Sequence, residues 1–247
     1  MIKNFDLKLF NNQTFQFLKL NFDEKFLFKL TPNSDVSIYS HCFGIFILNN
    51  INRLDEYSFL FKDWSDYIVK ELEKDKFNKN FRFSKPKMQK LCFALSALFL
   101  LNKLDNNLFS EKILNIINYD YKKFLSKIGF YNNKSQSGNL SMCFGILLIY
   151  SNRFLKKTKK KDLENFSNLL LEKIDKNGFF NSGKFSHLSF QNFYHQFEFF
   201  EFLNIPIPNI EFGIKKLKKL NSNKFYNAPY IGSSGCYDFD AISLIIS

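Results

Sequence analysis

Apolar residues follow a helical spacing through almost the whole chain, and two kinds of apolar segment alternate. In one kind, charged residues fill the second face of the helix, as in residues 56–77, 109–128, 162–174 and 212–220. In the other kind, apolar residues occupy nearly every face, as in residues 42–54, 88–104, 140–154 and 193–203. A helix without a polar face must be buried on all sides. The pattern therefore predicts helix pairs, with one member outside and the other inside.

A short motif recurs near the start of the inner helices about every 50 residues. The sequence His-Cys-Phe-Gly-Ile at 41–45 returns as Leu-Cys-Phe-Ala-Leu at 91–95 and as Met-Cys-Phe-Gly-Ile at 142–146. A fixed period of this length is typical of repeat proteins. We expect one domain over residues 1–247, with repeats at 1–54, 55–104, 105–154, 155–205 and 206–247. Because the chain ends within an apolar helix that has just begun, we expect the last repeat to be truncated, with self-association or a partner chain completing the architecture.

The connectors from outer to inner helix also recur, at residues 76–81, 127–132, 176–181 and 223–227. Each combines asparagine, in two cases with glycine, and an aromatic residue. Glycine and asparagine favour the left-handed conformation that ends a helix. Residues 1–30 fit either a strand or a helix, and the repeat register favours the outer helix of the first repeat.

The charge of the chain points to no particular partner. The net charge is +12, but all but three of the 35 basic residues are lysines, and they are spread over every repeat. Arginine is the residue that nucleic-acid sites favour, so we do not expect nucleic-acid binding. A coding bias towards Lys, Asn, Ile and Phe explains the charge, and peripheral contact with an anionic membrane is the alternative.

The cysteine pattern and the short apolar runs indicate a protein with reduced thiols and no transmembrane segment. The four cysteines at positions 42, 92, 143 and 236 form no CxxC pair, and we interpret the first three as small buried residues at helix contacts. The longest clean apolar run covers residues 91–101, which is too short to span a bilayer. With no signal-peptide pattern at the start, we expect a cytoplasmic protein without a transmembrane segment.

Residues 232–242 read Gly-Ser-Ser-Gly-Cys-Tyr-Asp-Phe-Asp-Ala-Ile. This motif and the repeat of outer and inner helices resemble the α/α-toroid superfamily, which includes terpenoid cyclases, protein prenyltransferase β-subunits and lanthionine cyclases. The resemblance covers most of the chain as architecture and about 11 residues as a motif. It implies an all-α toroid of helical hairpins with a central cavity. In such toroids the N-terminal ends of the inner helices line the mouth of the cavity.

The resemblance implies acid chemistry at that mouth. The catalytic candidates are Asp238 and Asp240, with His195 as their partner. Proton-initiated terpenoid cyclases use an Asp-x-Asp-Asp motif, and this chain lacks its last aspartate because position 241 is alanine. The alternative for Asp238 is a helix cap, since acidic groups in a first turn accept hydrogen bonds from free N–H groups. The ligand-binding candidates are Asn192, Tyr194, Gln196, Cys236 and Tyr237.

Further polar residues are candidates for the same cavity. Glu198 and Glu201 lie about one helical turn beyond His195, and they line the cavity or face a neighbouring lysine. His41 and His187 are candidates for the rim, although a single histidine at a helix end is more often a hydrogen-bonded structural residue.

Protein prenyltransferases hold zinc with Asp, Cys and His, and the corresponding set here is His195, Cys236 and Asp238. Their order is Asp-x-Cys followed by a later His, whereas this chain has Cys-x-Asp after an earlier His. We therefore predict no metal site, and the sequence identifies no cofactor.

The function that we expect is the binding of a small, apolar or lipid-linked, isoprenoid-like molecule, with acid-type chemistry in the central cavity. The alternative is a non-catalytic helical-repeat scaffold for a peptide, glycan or partner protein, or a truncated, degenerate toroid. No GxSxG, HExxH or glycine-rich phosphate loop is present, which disfavours serine hydrolases, metalloproteases and nucleotide hydrolases. The sequence does not decide whether the chain is an enzyme.

Overall fold

The computed structural model describes residues 6–78, 80–104, 109–132, 134–174 and 187–220. These residues are mostly helical and contain no strand, which confirms the predicted all-α class. Ten α-helices form in this part of the chain: α1 (Leu7–Leu20), α2 (Ile38–Asn50), α3 (Phe61–Glu73), α4 (Lys85–Leu100), α5 (Ser110–Ile117), α6 (Tyr121–Lys127), α7 (Ser137–Tyr150), α8 (Lys160–Leu171), α9 (His187–Phe202) and α10 (Ile210–Leu220). Short 3-10 helices cover Leu54–Leu60, Phe81–Phe83 and Phe130–Asn132.

The chain separates into two compact units. Unit 1 comprises the described residues of 1–78 and 89–108, and unit 2 comprises those of 79–88 and 109–247. The core of unit 1 is aromatic, with the buried rings of Phe28 and Trp64 at 5.5 Å between centroids. In the same unit, Lys90 of α4 donates to the Glu71 carbonyl at the end of α3 and pairs with Asp75 at 3.0 Å.

The core of unit 2 is a chain of phenylalanine rings on consecutive helices. Phe144 of α7 stacks on Phe124 of α6 at 4.3 Å between ring centroids, and Phe166 of α8 lies 5.4 Å from Phe144. Phe199 of α9 then contacts Phe166 edge to face at 5.8 Å. All four side chains are buried. The apolar inner helices α7 and α9 therefore pack with the apolar stripes of the amphipathic helices α6 and α8, as their sequence patterns predict.

The recurring motif has a structural reason at its fourth position. A Cβ built on Gly44 would lie 2.1 Å from the ring of Phe28, and one built on Gly145 would lie 2.7 Å from the ring of Phe199. The second copy of the motif has alanine, which is also small, at position 94. A small residue at this point lets an aromatic ring pack directly on the backbone of an inner helix.

Three inner helices end with the same hydrogen-bonded cap. Asn52, Asn102 and Asn204 adopt left-handed backbone conformations with φ of 56°, 55° and 53°. At each end the asparagine N–H donates to the carbonyl three residues earlier, and the next N–H donates to the carbonyl five residues before it. These two bonds define a Schellman motif. The caps of α2, α4 and α9 therefore mark the repeat at the level of the backbone.

The inner helix of residues 140–154 ends differently. A π-helical turn at Ser151–Leu155 follows α7, and the left-handed residue is Lys156, with φ of 55°. A π turn holds one residue more than an α turn. The end of α7 therefore accommodates one residue more than a regular α-helical end before the next outer helix begins.

The prediction of one outer helix over residues 109–128 is wrong. The structure has two short helices, α5 and α6, because Asn118 leaves the helical conformation and Asp120 caps α6 by accepting a hydrogen bond from the Lys123 N–H at 2.7 Å. Residues 7–20 form the predicted first outer helix, and two isolated β-bridges, Phe22–Phe28 and Lys29–Val36, follow it. Gly129 has the left-handed conformation expected of its connector, with φ of 73°. The toroid arrangement and the five repeat boundaries stay predictions.

Candidate functional site

Helix α9 carries the cluster of polar residues that the sequence singles out. Phe197 of this helix is half-buried and Phe202 is 45% exposed, but five aromatic residues are fully or almost fully buried: Phe190, Phe193, Tyr194, Phe199 and Phe200. Four polar side chains alternate with them: Asn192 and Gln196 are buried, His195 is half-buried and Glu198 is exposed. The buried members of this set must find hydrogen-bond partners inside the protein.

Asn192 and Gln196 bind the first turn of α7. The Asn192 Oδ1 accepts a hydrogen bond from the Gly138 N–H at 2.9 Å. The Gln196 Nε2 donates to the Gly138 carbonyl and to the Ser141 Oγ, both at 2.8 Å. The first N–H groups of a helix have no partner within it. Asn192 supplies a partner for one of these N–H groups, and Gln196 adds two hydrogen bonds to the same turn. Both amides are buried, so the structure gives them a structural role. Their predicted role in ligand binding stays a prediction.

Two buried polar atoms at this junction are left without partners among the described residues. These atoms are the Gln196 Oε1 and the Ser137 Oγ, and both residues have no exposed surface. An unpaired buried polar atom costs about 1–3 kcal/mol. The N-terminal end of α7 therefore has spare hydrogen-bonding capacity next to α9.

Tyr194, His195 and Glu198 form a second group on α9. The Tyr194 hydroxyl donates to the Glu198 Oε1 at 3.1 Å, and the Tyr194 and His195 rings lie 5.9 Å apart between centroids. The spacings i,i+3 and i,i+4 place Glu198 on the same side of the helix as His195 and Tyr194. The three side chains thus share one surface of α9, on which Tyr194 is buried, His195 is half-buried and Glu198 is exposed.

Burial perturbs both titratable groups of this surface. It lowers the pKa of His195 to about 4, with a smaller contribution from the positive charge of Lys85. It also raises the pKa of Glu198, an effect that the Tyr194 hydrogen bond opposes and the negative charge of Glu201 reinforces. At neutral pH, His195 is therefore a neutral imidazole, and its lowered pKa makes it a weaker base than an ordinary histidine. The Glu198 carboxyl holds its proton to a higher pH than an ordinary glutamate does. Perturbed pKa values of this kind are typical of catalytic acids and bases.

His41 is a core residue of unit 1. Its Nδ1 accepts a hydrogen bond from the Phe28 N–H at 3.3 Å, and its ring lies 5.2 Å from the Tyr67 ring. Complete burial lowers its pKa to about 3. A neutral, hydrogen-bonded histidine at this position fits the structural alternative.

The remaining predicted site residues lie outside the described residues. These are Cys236, Tyr237, Asp238 and Asp240, together with the side chain of His187. Their convergence with His195 stays a prediction, and so does the predicted absence of the zinc set of His195, Cys236 and Asp238. Within the described ranges, no group of three or more His, Cys, Asp or Glu side chains could hold a metal ion.

The pairing of Tyr194 with Glu198 is a feature that the sequence reasoning did not single out. An i,i+4 spacing of a tyrosine and a glutamate on a predicted helix was the available signal. A groove beside α3, described below, was also missed, because its charged residues follow the pattern of an ordinary solvated helix face.

Comparisons with known proteins assign no family, since no family model, curated protein or solved structure matches this chain. Within the part of the chain that the structure describes, no helix is both long enough and apolar enough to cross a membrane.

Proposed function

We propose that this chain binds a small, apolar or lipid-linked molecule and transforms it by acid–base chemistry beside helix α9. The observation that carries the proposal is the Tyr194–His195–Glu198 surface, in which burial shifts the pKa of the carboxyl upward and that of the imidazole downward. Two such groups on one helix provide a carboxyl that keeps its proton to a higher pH than usual and an imidazole that stays neutral to a lower pH than usual.

Each residue of this surface has a distinct role in the proposal. Glu198 delivers the proton, and the Tyr194 hydroxyl, at 3.1 Å from the Glu198 Oε1, orients its carboxyl. His195 accepts a proton as the neutral imidazole. Asp238 or Asp240 serves as a general acid or a ligand anchor in this proposal. That role rests only on the resemblance to α/α toroids.

The substrate class also comes from that resemblance, which favours isoprenoid-like molecules. The surroundings of the site are compatible with such a ligand. The α9 residues next to the polar surface are aromatic and apolar, and apolar walls with a few polar groups are typical of small-molecule sites.

The first test is native mass spectrometry of the purified full chain, with elemental analysis for zinc. A copurified apolar ligand would identify the substrate class for turnover assays. In those assays, Glu198→Gln and His195→Asn are expected to lower kcat at least about 100-fold, which is the usual contribution of one general acid or base.

Glu201→Gln is the matched control for these variants, because it makes the same chemical change at another exposed position of the same helix. It should leave kcat within a few fold of wild type and lower the pH at which activity is lost, since the Glu201 charge raises the pKa of Glu198. Unchanged turnover in Glu198→Gln and His195→Asn would exclude the proposed chemistry.

A further inference from the structure

A groove of about 760 Å³ in unit 1 lies between helix α3 and the loop at residues 23–27. Its apolar surface comes from Phe26, Leu27, Leu60 and Tyr67. Its carboxylates belong to Asp23, Glu24, Asp63, Asp66 and Glu71, and its lysines are Lys25, Lys70 and Lys74. The groove therefore combines an apolar surface with a charged rim.

The groove is elongated. Along α3 its lining residues run from Asp63 to Lys74 at helical spacing, and this stretch is about 16 Å long at 1.5 Å per residue. An extended polypeptide covers the same distance in about five residues. The length fits a segment of extended peptide better than a compact small molecule.

The loop that forms the other wall is held in one conformation. The Asp23 Oδ1 accepts hydrogen bonds from the Lys25 and Leu27 N–H groups at 2.9 and 2.7 Å. The Trp64 Nε1 donates to the Phe26 carbonyl at 3.0 Å. These contacts keep Phe26 at a φ of 58°, which is unfavourable for a residue with a bulky side chain. Its ring, which is 48% exposed, is thereby presented at a fixed place in the groove.

The charge of the groove is opposite to that of the chain. Five carboxylates face three lysines, while the whole chain carries +12. Asp66 and Glu71 pair with Lys62 and Lys74 of their own helix stretch. The other three acidic residues, Asp23, Glu24 and Asp63, form no ion pair with any described residue. The rim thus retains negative charge that a basic partner would complement.

We propose that this groove binds an extended, basic segment of a partner protein, with a lysine or arginine near Glu24 and Asp63. The neighbouring apolar side chains of that segment pack on Phe26 and Tyr67, whose rings also attract a cation through its interaction with their faces. Recognition of an extended peptide by a groove on a folded domain is a common mode of peptide binding. This site lies within unit 1 and is independent of the chemistry proposed for α9.

The test uses the full chain and fluorescence anisotropy with two labelled hexapeptides, one alternating lysine with leucine and the other alternating glutamate with leucine. Long-range attraction to a chain of charge +12 favours the glutamate peptide. A preference for the lysine peptide therefore reports a local acidic site. We expect wild-type protein to prefer the lysine peptide, and Glu24→Lys and Asp63→Lys to weaken that binding about five- to tenfold each.

Glu73→Lys is the matched control, because Glu73 is exposed on the same helix but outside the groove lining. It makes the same charge change and should bind the lysine peptide like wild type. Phe26→Gly gives a second criterion. Glycine adopts a positive φ without strain, so this variant should lose affinity while keeping its thermal stability.

Equal loss of affinity in Glu73→Lys and Asp63→Lys, or a wild-type preference for the glutamate peptide, would overturn the proposal. None of these substitutions should change turnover at α9. A negative peptide-binding result therefore leaves the chemistry proposed for α9 intact, and a negative turnover result leaves the peptide site intact.

Discussion

Gly138 of α7 and Asn192 of α9 are in direct backbone contact. A Cβ built on Gly138 would lie 2.5 Å from the Asn192 Cα and 2.7 Å from its carbonyl oxygen, and the Asn192 side chain accepts the Gly138 N–H at 2.9 Å. Glycine is therefore needed at position 138 for steric reasons, since the obstructing atoms belong to a neighbouring helix backbone.

Gly138→Ala is expected to lower the free energy of unfolding by about 2–3 kcal/mol, because a backbone clash between helices is relieved only by moving a helix. Urea denaturation at equilibrium measures the change. Gly145→Ala is the comparison, because its Cβ would meet the Phe199 ring at 2.7 Å, and a side chain can move more easily than a backbone. A smaller loss in Gly138→Ala than in Gly145→Ala would contradict the close contact of α7 with α9.

The hydrogen bond from Gln196 to Ser141 should be visible in a double-mutant cycle. Gln196→Leu is expected to cost about 1 kcal/mol, because it removes the donor to the buried Gly138 carbonyl and to the Ser141 Oγ but also removes the unpaired Oε1. Ser141→Ala should cost less. The two changes should couple by about 0.5–1 kcal/mol, since the side chains share a bond of 2.8 Å. Strict additivity of the two losses would show that this bond contributes nothing to stability.

The protein should lose stability as the pH falls from about 6.5 towards 3. His41 has a pKa of about 3 in the folded protein and an ordinary value of 6.5. The unfolded chain therefore takes up a proton in this range and the folded chain does not. Stability from the neutral His41 is complete above pH 6.5 and decreases progressively to pH 3, by about 3–5 kcal/mol at most.

The corresponding variant is His41→Asn, whose amide oxygen can accept the Phe28 N–H in place of Nδ1. Unfolding free energies measured from pH 7 to pH 3 should vary less with pH in this variant than in wild type. His195→Asn should flatten only the range above pH 4, because the pKa of His195 is about 4. Identical slopes in wild type and His41→Asn would show that His41 titrates normally in the folded protein.

The left-handed ends of the inner helices predict opposite effects for two substitutions. Lys156→Gly should stabilise the protein by about 0.5–1 kcal/mol, because Lys156 has a φ of 55° that glycine adopts freely. Asn102→Val should destabilise it by about 1–2 kcal/mol, since a β-branched side chain at a positive φ is strained. Calorimetric melting temperatures measure both changes. Lys157→Gly, next to Lys156 and outside the set of residues with positive φ, is the control that should not stabilise.

The alternation of helices was predictable because two sequence patterns indicate it independently. Apolar positions on all faces identify the inner helices α2, α4, α7 and α9, and one-sided patterns identify α3 and α8. The expectation that inner helices are buried on all sides is wrong for α2, α4 and α9, where Phe43, Phe99 and Phe202 are 43%, 55% and 45% exposed. The burial of Cys42, Cys92 and Cys143 was predicted from their place in these helices and is confirmed. In each case the residue pattern reports a local property, namely which face of one helix meets water.

Features that depend on contacts between distant segments were not predictable in the same way. The division of residues 109–128 into α5 and α6 is an exception, because it depends on a local signal. That signal is the capping of α6 by Asp120, which the apolar periodicity does not show. The contact of Gly138 with Asn192 joins residues 54 positions apart. The groove of unit 1 joins a loop to a helix some 40 residues later, and neither segment has an unusual sequence.

The asparagine caps give α2, α4 and α9 their own stop signals, each encoded within a few residues of the helix end. A change of length in one repeat therefore need not alter where the next repeat begins. The insertion of a single residue at the end of an inner helix would produce a π turn such as the one at Ser151–Leu155. Natural variants of this protein should accordingly differ in length at the ends of inner helices, while the spacing inside each helix stays constant.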